Sequence, residues 1–360
     1  MSAKKSRKRS PSSKGRARSG ATSARATAAR PAARAGGHSV PHAAAAPKRR
    51  NPTQMPRKEQ PAPRRSNVAM WLEGARLRTL PLAIVPVLLG TAEAKAISGP
   101  DEWHWVRALA CLAVALCLQI GVNYANDYSD GIRGTDDFRV GPPRLTGSGH
   151  ASPKTVKTVA FVFFGLAALA GLFLVWRTEQ WWLLAVGAAA ILAAWFYTGG
   201  KRPYGYSGLG EVFVFVFFGL VATMGTIYVQ TLEWPTDGWM LAVAAGLFSC
   251  AVLMVNNIRD IEQDRRAGKR TLAVLIGDRA ARIAFAVMAL GPFVIAWMFT
   301  ITYRSAVLAF FALLLIGPAV VIALMADRPK DLVLALKLTS LGALAYAVLL
   351  AGSLFGAPGA

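Results

Sequence analysis

Acidic residues are scarce in this chain. Nineteen Asp and Glu stand against 41 Lys and Arg in 360 residues, for a formal net charge of +22. Charge of either sign makes up only 17% of the sequence, where a soluble domain carries about a quarter. Cysteine is rarer still: Cys111, Cys117 and Cys250 all fall in apolar runs. They form no metal-binding spacing and read as small apolar packing residues. No apolar core follows the N-terminal charges within the first thirty residues, so no secretory signal peptide is expected. A soluble fold and a thiolate metal site are thereby set aside.

What is present is uneven. Residues 1–66 hold 18 Lys and Arg and a single acid, Glu59, and almost no large apolar side chains. Such a segment cannot bury enough surface to offset its ordering entropy and is expected to be disordered. It reads either as a solvated extension or as a tail drawn to anionic lipid headgroups. It has no aromatic platform or motif for nucleic acid, so no nucleic-acid partner is expected. Residues 67–360 are expected to form one intramembrane domain. The expected fold is therefore all-α: a polytopic membrane protein of about nine transmembrane helices with a disordered basic N-terminal tail.

Nine apolar stretches approach the length of about 20 residues that a span needs: 80–98, 106–126, 156–176, 181–198, 209–230, 239–258, 282–302, 305–325 and 332–354. Tryptophans cluster near their ends, as at a membrane interface. The loops after spans 2, 4, 6 and 8 are rich in Lys and Arg, and the odd loops are poor in them. The positive-inside rule then puts the N-terminus and the even loops in the cytoplasm, with the C-terminus outside the cell membrane.

Two of the even loops are long and rich in charge and glycine. NDYSDGIRGTDDFRVGPPRL follows span 2, and NNIRDIEQDRRAGKRTLAV ends span 6. Asn126 and Asp130 are four apart, as are Asn256, Asp260 and Asp264, so each set shares a helical face. Gly131 and Gly134 allow a turn that could return Asp136 toward the first set. Carboxylates at a helix C-terminus oppose its dipole and one another, so cations must compensate. Oxygen ligands without His or Cys suit Mg²⁺ shared with phosphates. The alternative is pairing with Arg133, Arg259 or Arg265 in a solvated loop. A third element, YTGGKRPYGYSGLGE, places Tyr197 and Lys201 four apart. They could contact phosphate or serve as an interfacial anchor.

Together these elements resemble the UbiA superfamily of intramembrane prenyltransferases, whose signature is NDxxDxxxD after the second helix, YxxxK after the fourth and DxxxD after the sixth. The likeness covers residues 70–355. WLEGARLRTLP, together with the two acidic stretches, resembles the subgroup that acts on 1,4-dihydroxy-2-naphthoate. Here Gly134 stands where the superfamily has its third acid, and Leu77 where the subgroup has Pro. The resemblance implies transfer of a polyprenyl group from polyprenyl diphosphate to that acceptor, with Mg²⁺ held by Asn126, Asp130, Asp136, Asp260 and Asp264. Asp130, Asp260 and Asp264 would be catalytic. Asn126, Asp127, Arg76, Arg139, Arg144, Tyr197 and Lys201 would bind substrate, with the arginines open to either diphosphate or the naphthoate carboxylate. Tyr124 or Tyr128 could face an allylic cation. Other members act on 4-hydroxybenzoate, haem, chlorophyllide or phospho-sugar acceptors. From another class, an ion transporter would carry its acids mid-membrane, and here they stand at span ends.

Overall fold

A computed structural model describes residues 67–98, 103–134 and 144–356, all of them helix or connecting turn. Residues 1–66, and with them the expected disordered tail, lie outside the described residues. The helices are α1 (Asn67–Gly74), α2 (Pro81–Ser98), α3 (Trp105–Ile132), α4 (Pro153–Thr178) and α5 (Leu183–Phe196). They continue as α6 (Gly210–Thr231), α7 (Thr236–Arg259), α8 (Ile261–Arg266), α9 (Leu272–Ile276), α10 (Asp278–Thr302), α11 (Arg304–Met325) and α12 (Leu332–Phe355). Eight of them are long and apolar enough to cross a bilayer. α5 is apolar but has 14 residues, about 21 Å of helix against a hydrocarbon core of about 30 Å. Trp181 and Trp182 are taken up by a turn before it, and Gly199–Gly200 turn the chain just after it.

Local chemistry sets several ends. Ser152 caps α4 by accepting the Thr155 amide at 3.2 Å, with Pro153 in the first helical position, where its missing N–H costs nothing. α6 changes register in its middle: Phe215–Val221 is a π-helical stretch, a local irregularity common at functional sites.

Lipid is as apolar as a protein core, so close packing holds these helices together more than exclusion of water does. α7 is the central rod. Its Leu241, Phe248 and Met254 are fully buried against α2, α10 and α12. Phe248 meets the buried Tyr346 ring edge-on at 5.1 Å, and the Tyr346 hydroxyl donates to the Pro292 carbonyl at 2.8 Å. α6 and α7 touch backbone to backbone: a Cβ on Gly219 would lie 2.6 Å from Gly246 Cα. A smaller cluster around Met70, Tyr124, Leu145 and Phe164 packs α1, α3 and α4. Trp105, Trp176, Trp181, Trp182, Trp234 and Trp239 are exposed. They occupy the starts of α3, α5 and α7 and the ends of α4 and α6, one end of the bundle, as an interfacial girdle does.

Candidate active site

A cavity of about 600 Å³ lies among α2 to α7. Its walls include both Asp130 and Cys111 of α3. Those residues are 19 apart, so the cavity runs about 28 Å along that helix, close to the full apolar thickness of a bilayer. One end is charged. The rest is mainly Val, Leu, Ala, Gly and Phe.

Helical phase decides which α3 residues reach it. Gln119, Asn123, Asn126 and Asp130 fall on one face and all line the cavity. Gln119 donates to Thr79 Oγ1 (3.2 Å) and Asn123 to the Ala75 carbonyl (3.0 Å), fixing the segment before α2 against α3. Asn126 Oδ1 accepts from Thr198 Oγ1 at 2.7 Å. Asp127 is rotated about 100° away and is not brought to the cavity. Its carboxylate accepts the amides of Leu145 (2.9 Å) and Thr146 (2.8 Å). It thereby holds the backbone beside Arg144, a positioning task in place of the expected substrate contact. The same phase turns Tyr124 and Tyr128 away from the cavity, toward Phe163 and Trp195 respectively.

Asp130 stands among donors. Tyr206 Oη donates to it at 2.5 Å, Lys269 Nζ lies at 3.3 Å and Arg144 Nη2 at 3.4 Å. The second acidic set comes from the end of α7. The helix breaks at Asp260, but the Asp264 amide still reaches the Asp260 carbonyl at 2.8 Å. The expected i, i+4 face therefore survives, and Asn256, Asp260 and Asp264 all line the cavity. Arg259 grips the Asp260 carboxylate through two nitrogens, at 2.8 and 2.5 Å. Lys269 Nζ is also 4.0 Å from Asp264, so one ammonium bridges the two acidic motifs. Its loop is tied to the Tyr206 turn by the Arg270 amide, 2.9 Å from the Tyr206 carbonyl.

Arg76 and Arg144 line the charged end. Arg76 does so from a left-handed backbone, φ 56°, a conformation that costs a non-glycine residue roughly 1–3 kcal/mol. Tyr197 lines the cavity. Lys201 is exposed and off the cavity wall. α5 has ended by then, and the Gly199–Gly200 turn, held by Arg133 on the carbonyls of Thr198 and Gly200, breaks the i, i+4 relation. Asp136 and Arg139 lie outside the described residues.

Tyr206, Lys269 and Arg78 are among the cavity residues to which the sequence reading gave no role. The first two approach Asp130 from 76 and 139 residues away, a distance no local pattern reports. Arg78 was legible as a second basic residue two positions after Arg76. It has no hydrogen-bond partner or ion pair among the described residues. Burial, and next the Arg259 charge, lower its pKa, and the Glu73 and Asp260 carboxylates oppose them.

Among the described residues no three carboxylate, imidazole or thiol groups converge into a cage. Mg²⁺ does not require one, since it is held by one or two carboxylates, substrate phosphates and water. Asp130 and Asp264 already share one cation, so this hard-oxygen donor set fits the ion. An acidic, cation-ringed mouth on a long apolar channel suits an amphiphile with an anionic head.

Comparison with known proteins agrees. The sequence matches the UbiA prenyltransferase family over residues 83–341. It is 54% identical over 220 residues to the 1,4-dihydroxy-2-naphthoate octaprenyltransferase of Mycobacterium tuberculosis, covering 61% of this chain and 74% of that one. It is 38% identical over 242 residues to the Escherichia coli protein of the same name, covering 66% and 78%. The fold matches a UbiA homolog from Archaeoglobus fulgidus bound to DMAPP and Mg²⁺, with TM-score 0.55 and 14% identity over 78% of this chain and 99% of that one. The chain belongs to the UbiA prenyltransferase family.

Proposed function

We propose that this protein transfers a polyprenyl group from polyprenyl diphosphate to 1,4-dihydroxy-2-naphthoate. The bond between prenyl C1 and the diphosphate oxygen breaks, with its electron pair leaving on diphosphate. C1 joins the naphthoate ring carbon that gives up its carboxylate as CO2. The product is demethylmenaquinone, released in its quinol form. The observation that carries this reading is the single cavity that joins the two acidic motifs to an apolar channel about 28 Å long. The names of the relatives support the acceptor.

The chain's own groups have distinct tasks. Asp130, Asp260 and Asp264 define the head site, with Asn126 beside Asp130. These residues would hold Mg²⁺, as a Mg²⁺-bound family structure suggests; the ion would supply positive charge to the leaving diphosphate. Lys269, Arg144 and Arg76 line the same mouth and can stabilise charge developing on the phosphate oxygens. Arg78, which makes no ion pair among the described residues, suits the acceptor carboxylate, which guanidinium binds in two-point fashion. Tyr204, Tyr206 and Phe213 line the cavity near that mouth, so their rings are the aromatic groups placed to stabilise an allylic cation, a role expected for Tyr124 or Tyr128. The apolar walls exclude water that would capture it. Basic loops flank the mouth, which supports a cytoplasmic site in the cell membrane, a cytoplasmic N-terminus and an external C-terminus.

The test is product analysis by mass spectrometry, using purified protein in nanodiscs supplied with octaprenyl diphosphate, Mg²⁺ and a panel of acceptors. Demethylmenaquinol from 1,4-dihydroxy-2-naphthoate is expected. Transfer to 4-hydroxybenzoate alone would overturn the acceptor assignment. No transfer to any acceptor, from folded protein, would overturn prenyl transfer itself.

A further inference from the structure

Glycine inside a helix costs about 0.5–1 kcal/mol relative to alanine. Most of the helical glycines here are explained by packing. A Cβ on Gly90, Gly121, Gly219 or Gly246 would come within 2.6–2.7 Å of a neighbouring helix. Gly171 of α4, Gly187 of α5 and Gly225 of α6 differ. Their backbones are ordinary right-handed helix, and a Cβ on any of them would meet nothing within 4 Å. All three line the cavity. Gly165 and Gly317 are as open as these but are not among the lining residues, which makes them controls.

The depths of the three can be read along the helices. The Tyr197 hydroxyl and the Cβ position of Gly210 are 3.4 Å apart, which gives α5 and α6 a common level near the mouth. From there Gly187 is ten residues along α5 and Gly225 fifteen residues along α6, about 15 and 22 Å. On α4, Gly171 lies seven residues beyond Phe164, and Phe164 covers Gly121, nine residues from Asp130. Gly171 is thus about 24 Å from the mouth. An extended isoprene unit has four carbon–carbon bonds along its backbone and advances about 5 Å. The three sites therefore stand roughly three, four and five units down a prenyl tail.

We propose that Gly171, Gly187 and Gly225 set the length of prenyl tail the channel accepts, by leaving three points of its deep wall without a side chain. This rests on the prenyl-transfer reading and deepens it. A leucine at Gly187 blocks the path beyond about three units, and one at Gly225 beyond about four.

The test uses binding as well as turnover. Affinity for geranyl, farnesyl, geranylgeranyl and octaprenyl diphosphate is measured by native mass spectrometry on the full chain, for wild type and for Gly187→Leu, Gly225→Leu and Gly165→Leu. Transfer to 1,4-dihydroxy-2-naphthoate is followed in parallel. The expected result is at least a tenfold loss in the octaprenyl-to-geranyl affinity ratio in the two channel variants. The cut should begin at shorter chains in Gly187→Leu, and Gly165→Leu should keep the wild-type ratio. Geranyl diphosphate binding reports that each variant is folded. Equal ratios in all four proteins would overturn the proposal, as would the same loss in Gly165→Leu. Tail-length discrimination in binding, without transfer to the naphthoate, would leave this proposal standing and remove the acceptor assignment.

Discussion

Tyr206→Phe is the sharpest single-atom test of the head site. The change removes the hydroxyl that donates to Asp130 at 2.5 Å. It keeps the ring over which Lys269 Nζ sits at 4.6 Å and the Arg133 guanidinium at 5.5 Å. A hydrogen bond to a charged group contributes about 1.5–3 kcal/mol. If Asp130 must be held in one orientation at the transition state, that loss lowers kcat about 10- to 150-fold. Loss of a group that orients a metal-binding carboxylate also weakens metal affinity by about 10- to 100-fold. The assay is steady-state transfer across a Mg²⁺ titration, with wild type and Tyr206→Phe in the same nanodiscs. A kcat within twofold of wild type and an unchanged Mg²⁺ midpoint would refute the role given to this contact. Tyr206→Leu additionally removes both cation–ring contacts, each worth about 0.5–2 kcal/mol, and should be worse than Tyr206→Phe.

Other consequences can be checked on the same preparation. Asp130→Ala and Asp264→Ala should each leave no product detectable by mass spectrometry; wild-type turnover in either would remove that motif from the reaction. EDTA should stop transfer, and added Mg²⁺ should restore it. Arg78→Ala should raise KM for the naphthoate tenfold or more and leave KM for the prenyl diphosphate nearly unchanged; the reverse pattern would assign Arg78 to diphosphate. Gly219→Leu forces side-chain atoms into the Gly246 backbone 2.6 Å away. Overpacking of about 1–3 kcal/mol should lower the Tm, and an unaltered Tm would contradict the backbone contact between α6 and α7.

The helical plan was legible because the bilayer imposes it. Each long apolar run has to satisfy its own backbone hydrogen bonds, so apolar length and charged gaps nearly define the helices. The head site was partly legible for a similar reason: a spacing of four is a statement about one helical face, and it placed Asn126 with Asp130 and Asp260 with Asp264. The same geometry, applied one residue further, turns Asp127 out of the cavity, since a neighbour in sequence is about 100° around the helix. Lys201 was misplaced because the i, i+4 relation presumes a helix that ends at Phe196. Tyr206 and Lys269 were beyond reach because tertiary contacts bring them to Asp130. The π-helical stretch in α6 has no sequence mark of its own, since its composition resembles that of any apolar helix.

The Lys269 ammonium, 3.3 Å from Asp130 and 4.0 Å from Asp264, balances part of their charge. A metal ion held by the same carboxylates would compete with it, so its net gain would be a difference between two favourable terms. Displaced, Lys269 is most useful beside a new anion, and the diphosphate supplies one. Metal and phosphate should therefore bind as an exchange, each making room for the other. Mg²⁺ midpoints measured with and without a non-hydrolysable prenyl diphosphate should differ in wild type, and Lys269→Met should narrow that difference. Equal midpoints in wild type would show that the lysine and the metal do not compete.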